Sequence, residues 1–144
     1  MTTVATDGKS MAADGRMTSG SDQIMSEKVK KVVRIRDMLV GGAGCAYSLR
    51  AFQEYFMGKS DAEKPKLHED FHGIVLFEDG RVHSFNSEWQ LIDEEVPMAI
   101  GTGGMLALAA MDCGKTPLEA VQLACTRDVF SGGTCMSLSF GDDQ

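Results

Sequence analysis

Apolar and polar residues alternate in several short segments of the chain, which is the pattern of half-buried β-strands. The segments 2–6 and 9–14 flank Asp7-Gly8, a dipeptide that favours a tight hairpin turn, and Asp79-Gly80 separates a second pair of this kind. Residues 17–26 are polar and are expected to form a loop with one short strand at most. Further strands are predicted at 28–35, 37–42, 73–78, 81–86 and 134–140.

Helical spacing follows these strands in three places. Residues 45–57 place bulky apolar side chains near one stripe, and a helix of small residues follows the glycine-rich turn 99–104. The last helix begins at the capping box Thr116-Pro117-Leu118-Glu119 and is expected to run to about Phe130. Residues 58–66 are expected to be a linker or a short irregular helix. The order of elements predicts an α+β sandwich, in which two antiparallel sheets pack together with helices outside.

Two adjacent lysines in the strand predicted at 28–35 are expected to differ in burial and in side-chain pKa. Strict alternation places Lys31 on the apolar face with Val29 and Val33, and Lys30 on the opposite, solvated face. Desolvation disfavours an ammonium group and would lower the pKa of Lys31. An inward lysine therefore suggests a purpose, although its stem could also extend past the sheet edge to water.

Composition narrows the class of protein. The 144 residues are expected to form a single domain, 1–144, with an acidic tail at 141–144. The net charge of −7 argues against a nucleic-acid surface, and no apolar run predicts a signal peptide or a membrane span. The 4 cysteines form no C-x-x-C pair and are expected to be reduced core residues of a cytoplasmic protein. Neither a metal nor another cofactor is expected.

The beginning of the chain offers a nucleophile and a base in one residue. Because the residue after Met1 is small, Met1 is expected to be removed, which leaves Thr2 at the N-terminus. Its hydroxyl can attack, and its α-amine, with an ordinary pKa of about 7.7–8.0, can accept the proton. The alternative is that these residues simply begin a strand.

Six short motifs, distributed over the whole chain, indicate the same protein family. They are Thr2-Thr3-Val4, Ala12-Ala13-Asp14-Gly15-Arg16, Lys30-Lys31-Val32, Val40-Gly41-Gly42-Ala43-Gly44, Ile100-Gly101-Thr102-Gly103-Gly104 and Arg127-Asp128-Val129-Phe130-Ser131-Gly132-Gly133. In this order they resemble proteasome β subunits and their bacterial relative, the HslV peptidase. The resemblance implies the four-layer α-β-β-α sandwich of the N-terminal nucleophile hydrolases and a threonine peptidase activity.

The resemblance also implies a role for each matching residue. Thr2 would be the nucleophile, and the buried pair of Asp14 and Lys31 would lower the pKa of its hydroxyl. The N–H of Gly41 would bind the oxyanion. The residues expected around the Thr2 amine are Thr102, which replaces the family's serine, Asp128 and Ser131. The residues expected to line an apolar pocket for the substrate are Met17, Val29, Val33, Leu39 and Ala43.

By the same resemblance, copies of the chain would form a hexameric or heptameric ring, single or stacked, that encloses the active sites. An AAA+ unfoldase would deliver unfolded proteins or peptides to it. The chain departs from the family in its short first hairpin and in the segment before residue 73, which is too short for the usual second long helix. That helix is expected to be missing or shortened. No propeptide is expected before Thr2, as in HslV.

Other hypotheses remain. His68-Glu69-Asp70-Phe71-His72 fits the H-E-x-x-H pattern of zinc metalloproteases. Pro65 precedes it and a predicted strand follows at once, so the helix that would present two zinc ligands is not expected. A catalytically silent ring or scaffold subunit, or a different amide-cleaving enzyme of the same fold, would also fit the pattern.

Overall fold

The computed structural model describes residues 2–19, 23–58 and 63–141. Met1, whose removal is expected, and residues 142–144 of the expected acidic tail lie outside these ranges, as do 59–62 of the expected linker. The strands are β1 (Thr3–Thr6), β2 (Ser10–Ala13), β3 (Met17–Ser19), β4 (Gln23–Ser26), β5 (Val32–Ile35), β6 (Met38–Ala43), β7 (His72–Phe77), β8 (Val82–Phe85), β9 (Leu91–Glu94), β10 (Met98–Gly101) and β11 (Met136–Ser139). The helices are α1 (Ala46–Phe56), α2 (Gly104–Asp112) and α3 (Pro117–Cys125).

Two antiparallel sheets form the centre of the fold. One has the strand order β10-β1-β2-β11 and the other β5-β6-β7-β8-β9. Both predicted hairpins are present, with β1 paired to β2 and β7 paired to β8. Gly8 and Gly80 have φ angles of +91° and +94°, which glycine adopts without a steric penalty. The turn chemistry of the sequence therefore determines the register of both hairpins.

The sheets stack face to face, and helices cover both outer faces. Residues of β1, β2, β5, β6, β7, β8 and β10 form an apolar layer between the sheets that includes Met11, Leu39 and Ile74. Small residues let α2 and α3 approach β1 and β2 closely, as at Ala5, Ala12 and Ala107. On the other side, α1 packs on the five-stranded sheet. This is the predicted four-layer α-β-β-α arrangement.

In the part of the chain that is described, the second long helix of the family is replaced by irregular backbone and a cluster of aromatic side chains. Among the described residues between α1 and β7, 57–58 and 63–71, only turns and irregular backbone occur. Phe52 of α1 is fully buried and contacts the rings of Phe71, Phe85 and Trp89 at centroid distances of 5.2–5.6 Å. The indole N–H of Trp89 donates to the carbonyl of Pro65 at 2.9 Å. Aromatic side chains and the preceding segment thus cover this part of the sheet.

Several boundaries differ from the sequence-based prediction. Residues 17–19 and 23–26 form the paired strands β3 and β4 where a loop was predicted, because these strands pair through the backbone and lack the buried apolar face that would reveal them in the sequence. The strand predicted at 28–35 begins only at Val32. The last helix ends at Cys125 instead of Phe130, and a turn follows it at 126–127. In the described ranges, no helix is long and apolar enough to cross a membrane.

Candidate active site

Thr2, Asp14 and Lys31 meet at one end of β1 and β2, the two central strands of their sheet. Thr2 directly precedes β1, Asp14 directly follows β2, and Lys31 directly precedes β5 of the opposite sheet. The Nζ of Lys31 donates to Thr2 Oγ1 at 2.9 Å and to Asp14 Oδ1 at 2.9 Å. All three residues are buried, with exposed fractions of 3%, 0% and 4%. The hydroxyl of Thr2 therefore lies against the side-chain amine of a buried lysine.

The reason given for the burial of Lys31 was wrong, although Lys31 is buried. Strand alternation does not extend to it, because β5 begins one residue later. Val33 and Ile35 pack in the cluster beneath α1, whereas the Lys31 amine contacts the other sheet. Its position depends on contacts between sheets instead of on the face of one strand.

Backbone N–H groups hold the carboxylate of Asp14. Thr3 donates to Oδ1 at 3.1 Å, and Gly132 and Arg16 donate to Oδ2 at 3.0 and 3.2 Å. Together with Lys31 these donors satisfy a fully buried carboxylate, which would otherwise be very costly. The site thereby fixes three separate segments of backbone around one side chain.

The pKa of Lys31 is lowered from its ordinary value. Burial disfavours the ammonium and lowers the pKa, while the charge of Asp14 and its hydrogen bond raise it by less. The carbonyl of Arg16 accepts a further hydrogen bond from the same Nζ. An amine in this position can stabilise negative charge that develops on the Thr2 oxygen.

Thr102, Asp128 and Ser131 form a second polar group. The hydroxyls of Thr102 and Ser131 both donate to Asp128 Oδ2 at 2.5 Å, and the N–H of Phe130 donates to Oδ1 at 3.2 Å. Burial raises the pKa of Asp128, but these hydrogen bonds outweigh it and the net pKa is lowered. Asp128 therefore offers a stable negative charge beside the start of β1.

Two glycines allow this second group to lie close to the N-terminal strand. Gly101 pairs with Thr3 and has a φ of +94°, and a Cβ there would collide with the carbonyl of Thr2. A Cβ at Gly103 would collide with the hydroxyl of Thr3. The glycines of the Ile100–Gly104 motif are thus required for close backbone approach.

The remaining predicted residues lie in several places. Gly41 is within β6, between Val32 of β5 and Ile74 of β7, and not in the turn that follows the strand. Leu39 is fully buried between the sheets, and Val33 packs beneath α1. The structure leaves the expected roles of Gly41 in oxyanion binding and of Met17, Val29, Val33, Leu39 and Ala43 in substrate binding as predictions.

Val29 and Ala43 have neighbours that matter for a substrate pocket. Half-buried Val29 lines an open groove of about 400 Å³ beside α1, together with Leu49 and Met57. Ala43 lies at the end of β6, where its Cβ would be 3.4 Å from a Cβ on Gly101. Met17 is half-buried in β3.

Sequence reasoning missed two contributors to the site. Thr3 was considered only as part of a motif, yet its side chain and its N–H contact both polar groups. Arg16 supplies a carbonyl to Lys31, and its guanidinium binds Glu27 Oε1 at 2.7 Å and the carbonyl of Val129 at 3.2 Å. The only sequence signal for their role is that Thr3 and Arg16 lie next to or near Thr2 and Asp14 in the chain.

The H-E-x-x-H motif does not form the helix that it would need. His68 begins a turn, in which its Nδ1 lies 2.7 Å from Asp70 Oδ1, and His72 begins β7. The two imidazoles therefore do not lie one helical turn apart. Within 2–19, 23–58 and 63–141, no group of three or more His, Cys, Asp and Glu side chains is placed to hold a metal ion.

Comparison with known proteins identifies the fold. No protein-family model matches the chain, and no curated protein matches its sequence. Among solved structures, Thiobacillus denitrificans BPH in complex with epoxomicin matches with a TM-score of 0.75 and 16% identity, covering 96% of this chain and 97% of the other. A second structure of that BPH has a TM-score of 0.74 and 18% identity, covering 99% and 100%.

Eukaryotic HslV from Trypanosoma brucei is similar over the same length. The TM-score is 0.69 and the identity 19%, covering 95% of this chain and 97% of the other. At such low identity these matches describe the fold. The chain therefore has the HslV-type α-β-β-α fold, and the resemblance inferred from its motifs is confirmed at that level.

Proposed function

We propose that the chain is an N-terminal threonine endopeptidase that cleaves unfolded proteins or peptides. The observation that supports this most directly is the contact of the Lys31 amine with both Thr2 Oγ1 and Asp14 Oδ1 at 2.9 Å. A buried lysine that bridges a hydroxyl and a carboxylate is costly, which favours a role in chemistry. The fold shared with HslV and BPH is a second, independent support.

In this proposal, Thr2 acts after Met1 has been removed. Its Oγ1 attacks the carbonyl carbon of a peptide bond, and its hydroxyl proton passes to the free α-amine of the same residue. The ammonium of Lys31 stabilises the developing alkoxide, and Asp14 holds that lysine in place. The Gly41 N–H donates to the oxyanion of the tetrahedral intermediate, a contribution of about 3 kcal/mol for donors of this kind.

Collapse of the intermediate then breaks the C–N bond. The α-amine returns its proton to the leaving nitrogen, and the acyl group remains on Thr2 as an ester. Water, activated by the same amine, hydrolyses the ester and restores the hydroxyl. In this proposal Thr102, Asp128 and Ser131 orient the amine throughout, and the proposal is supported by their hydrogen-bonded carboxylate, which lies near Thr3.

The proposed pocket accepts an apolar side chain of the substrate. Met17, Val29, Val33, Leu39 and Ala43 are all apolar, and Val29 already lines an open groove. Cleavage after hydrophobic residues is therefore expected.

We further propose that copies assemble into a hexameric or heptameric ring in the cytoplasm and cooperate with an AAA+ unfoldase. The support is the fold shared with HslV and the expected reduced state of the cysteines. A ring would confine proteolysis to an enclosed chamber.

Intact-mass measurement with a peptide epoxyketone tests the proposed function. Epoxomicin is suitable, since it is bound in one of the similar BPH structures. We expect loss of Met1 and then one adduct per chain on Thr2, and no adduct on a Thr2→Ala variant. Retention of Met1, or a free Thr2 that never reacts, would favour the silent scaffold subunit instead.

A further inference from the structure

Thr3 contacts both polar groups of the candidate site. Its backbone N–H donates to Asp14 Oδ1 at 3.1 Å, the same oxygen that receives the Lys31 amine. Its Oγ1 lies 2.8 Å from the Oγ of Ser131, which contacts Asp128. Thr3 is fully buried in the centre of the four-stranded sheet. It is therefore the residue of β1 that joins the Asp14–Lys31 pair to the Asp128 group.

The direction of the hydroxyl hydrogen bonds follows from the number of available protons. A serine hydroxyl has one hydrogen, and that of Ser131 is used on the carboxylate of Asp128 at 2.5 Å. Ser131 must then accept at its contact with Thr3, so the Thr3 hydroxyl donates. The chain of donors runs from Thr3 through Ser131 to Asp128, and each bond polarises the next.

The backbone is shaped to admit this hydroxyl. A Cβ on Gly103 would collide with Thr3 Oγ1 and would lie 3.2 Å from Asp128 Oδ2. The space at Gly103 thus accommodates the Thr3 side chain next to Asp128. A valine in place of Thr3 would fit similarly in shape but would offer no proton to Ser131.

We infer that Thr3 is a positioning residue for the nucleophile, an inference that rests on the proposed function. Thr3 is bonded directly to Thr2, so two hydrogen bonds on opposite sides of Thr3 restrict where the Thr2 hydroxyl and amine lie. The N–H bond ties Thr2 to the Lys31 side of the site, and the hydroxyl bond ties it to the Asp128 side. Loss of the hydroxyl removes the hydrogen bond that ties β1 to Ser131 and, through it, to Asp128.

Kinetics of three variants test this inference on the assembled protein. The variants are Thr3→Val, Thr3→Ser and, as a matched control, Thr6→Val. Thr6 is also fully buried in β1, but its hydroxyl donates to the Ser10 carbonyl away from the site. With a fluorogenic peptide, we expect Thr3→Val to lower kcat about tenfold with KM changed less than about twofold, because misplaced reacting groups affect the chemical step. Thr3→Ser should restore kcat, and Thr6→Val should leave it unchanged even if it lowers Tm.

The outcomes separate this inference from the proposed function. If the wild type forms no epoxomicin adduct, the proposed function itself is wrong. If the wild type reacts and Thr3→Val retains its kcat, or Thr6→Val loses as much, Thr3 has no positioning role while the peptidase proposal stands. Should Thr3→Val fail to fold, Thr3→Ser is compared with Thr3→Ala, since the two side chains differ only in the hydroxyl. Equal kcat in that pair would also overturn the inference.

Discussion

Two adjacent lysines show how strongly position changes the chemistry of one residue type. Lys30 is exposed, whereas the amine of Lys31 lies between a hydroxyl and a carboxylate. Burial lowers the pKa of Lys31 and Asp14 raises it by less. As a result, the Lys31 amine donates a hydrogen bond to Thr2 and has a pKa below that of a solvated lysine. The environment, and not the residue type, makes Lys31 a candidate for catalysis.

Replacing each lysine separately tests this difference. Lys31→Ala should abolish peptide hydrolysis, because no cation then stabilises the Thr2 alkoxide, while Lys30→Ala should retain most of it. Initial rates are measured on preparations whose size is checked by chromatography. Because Lys31→Ala leaves Asp14 buried without its cation, the double variant Asp14→Asn/Lys31→Met is included. Normal turnover in either Lys31 variant would exclude the proposed mechanism.

The reactivity of two cysteine thiols, Cys125 and Cys113, tests how burial affects their ionisation. Burial and the neighbouring Cys135 raise the pKa of the Cys125 thiol to about 12, whereas Cys113 is exposed. At pH 8 only about one in 10⁴ Cys125 thiols would then be ionised, and the thiolate is the form that reacts. We expect iodoacetamide to label Cys113 first, and Cys125 only on unfolding or near pH 11. Peptide mass spectrometry after timed labelling measures both sites, and equal rates at pH 8 would contradict the prediction.

Among the elements, α1 shows how the fold manages without a second long helix on that side. Its Phe52 lies within 5.0–5.6 Å of four other rings, measured between centroids. The same helix orients Gln53, whose amide donates to the carbonyls of Lys31 and Val40 at 3.3 and 3.1 Å. Packing of α1 thus supports the backbone that carries Lys31.

Substitutions on α1 should have very different effects on stability. Phe52→Ala removes a fully buried ring and should lower the free energy of unfolding by about 3–5 kcal/mol. Tyr47→Ala changes a side chain that is 88% exposed and should remain within about 0.5 kcal/mol. Urea unfolding followed by fluorescence of Trp89, the 1 tryptophan of the chain, measures both. Similar losses would show that the cluster does not anchor α1.

For the whole molecule, stacking of two sheets creates the candidate site. Thr3 and Ser131 are 128 positions apart, and Gly132 and Asp14 are 118 apart, yet each pair is hydrogen-bonded. The loop after α3 reaches the start of β1 because α3 packs across β1 and β2. Packing of α3 on β1 and β2 therefore brings residues from both ends of the chain together in the candidate site.

Assembly is the property of the whole molecule that the proposed function requires. Native mass spectrometry should give a particle of six or seven copies of the chain, or twice that number if two rings stack. Each copy has a mass of 15.5 kDa before loss of Met1. A particle that stays monomeric at micromolar concentration would contradict the ring, and an active monomer would separate the peptidase proposal from it.

Local patterns predicted the elements where turn and cap chemistry is strong. Asp7-Gly8 and Asp79-Gly80 marked the hairpins β1–β2 and β7–β8, and the capping box at Thr116 and Glu119 is present. The hairpin β3–β4 escaped prediction because its side chains are largely exposed and show no apolar alternation. The predicted boundaries near the site were also wrong, since β5 begins later and α3 ends earlier than periodicity indicates.

The amino-acid sequence alone was sufficient for the α-β-β-α architecture and the HslV-like motifs, and the motif Lys30-Lys31-Val32, not strand alternation, correctly indicated Lys31 as the buried lysine. Those features depend on neighbours within a few residues or on motifs that are visible as letters. Only the tertiary structure decided that Thr3 links Asp14 to Ser131 and that three backbone N–H groups hold Asp14. It also decided that aromatic rings pack beside α1, on the side where the family has its second long helix. Such contacts join segments far apart in the chain, and their geometry is determined by how two sheets pack and not by any local pattern.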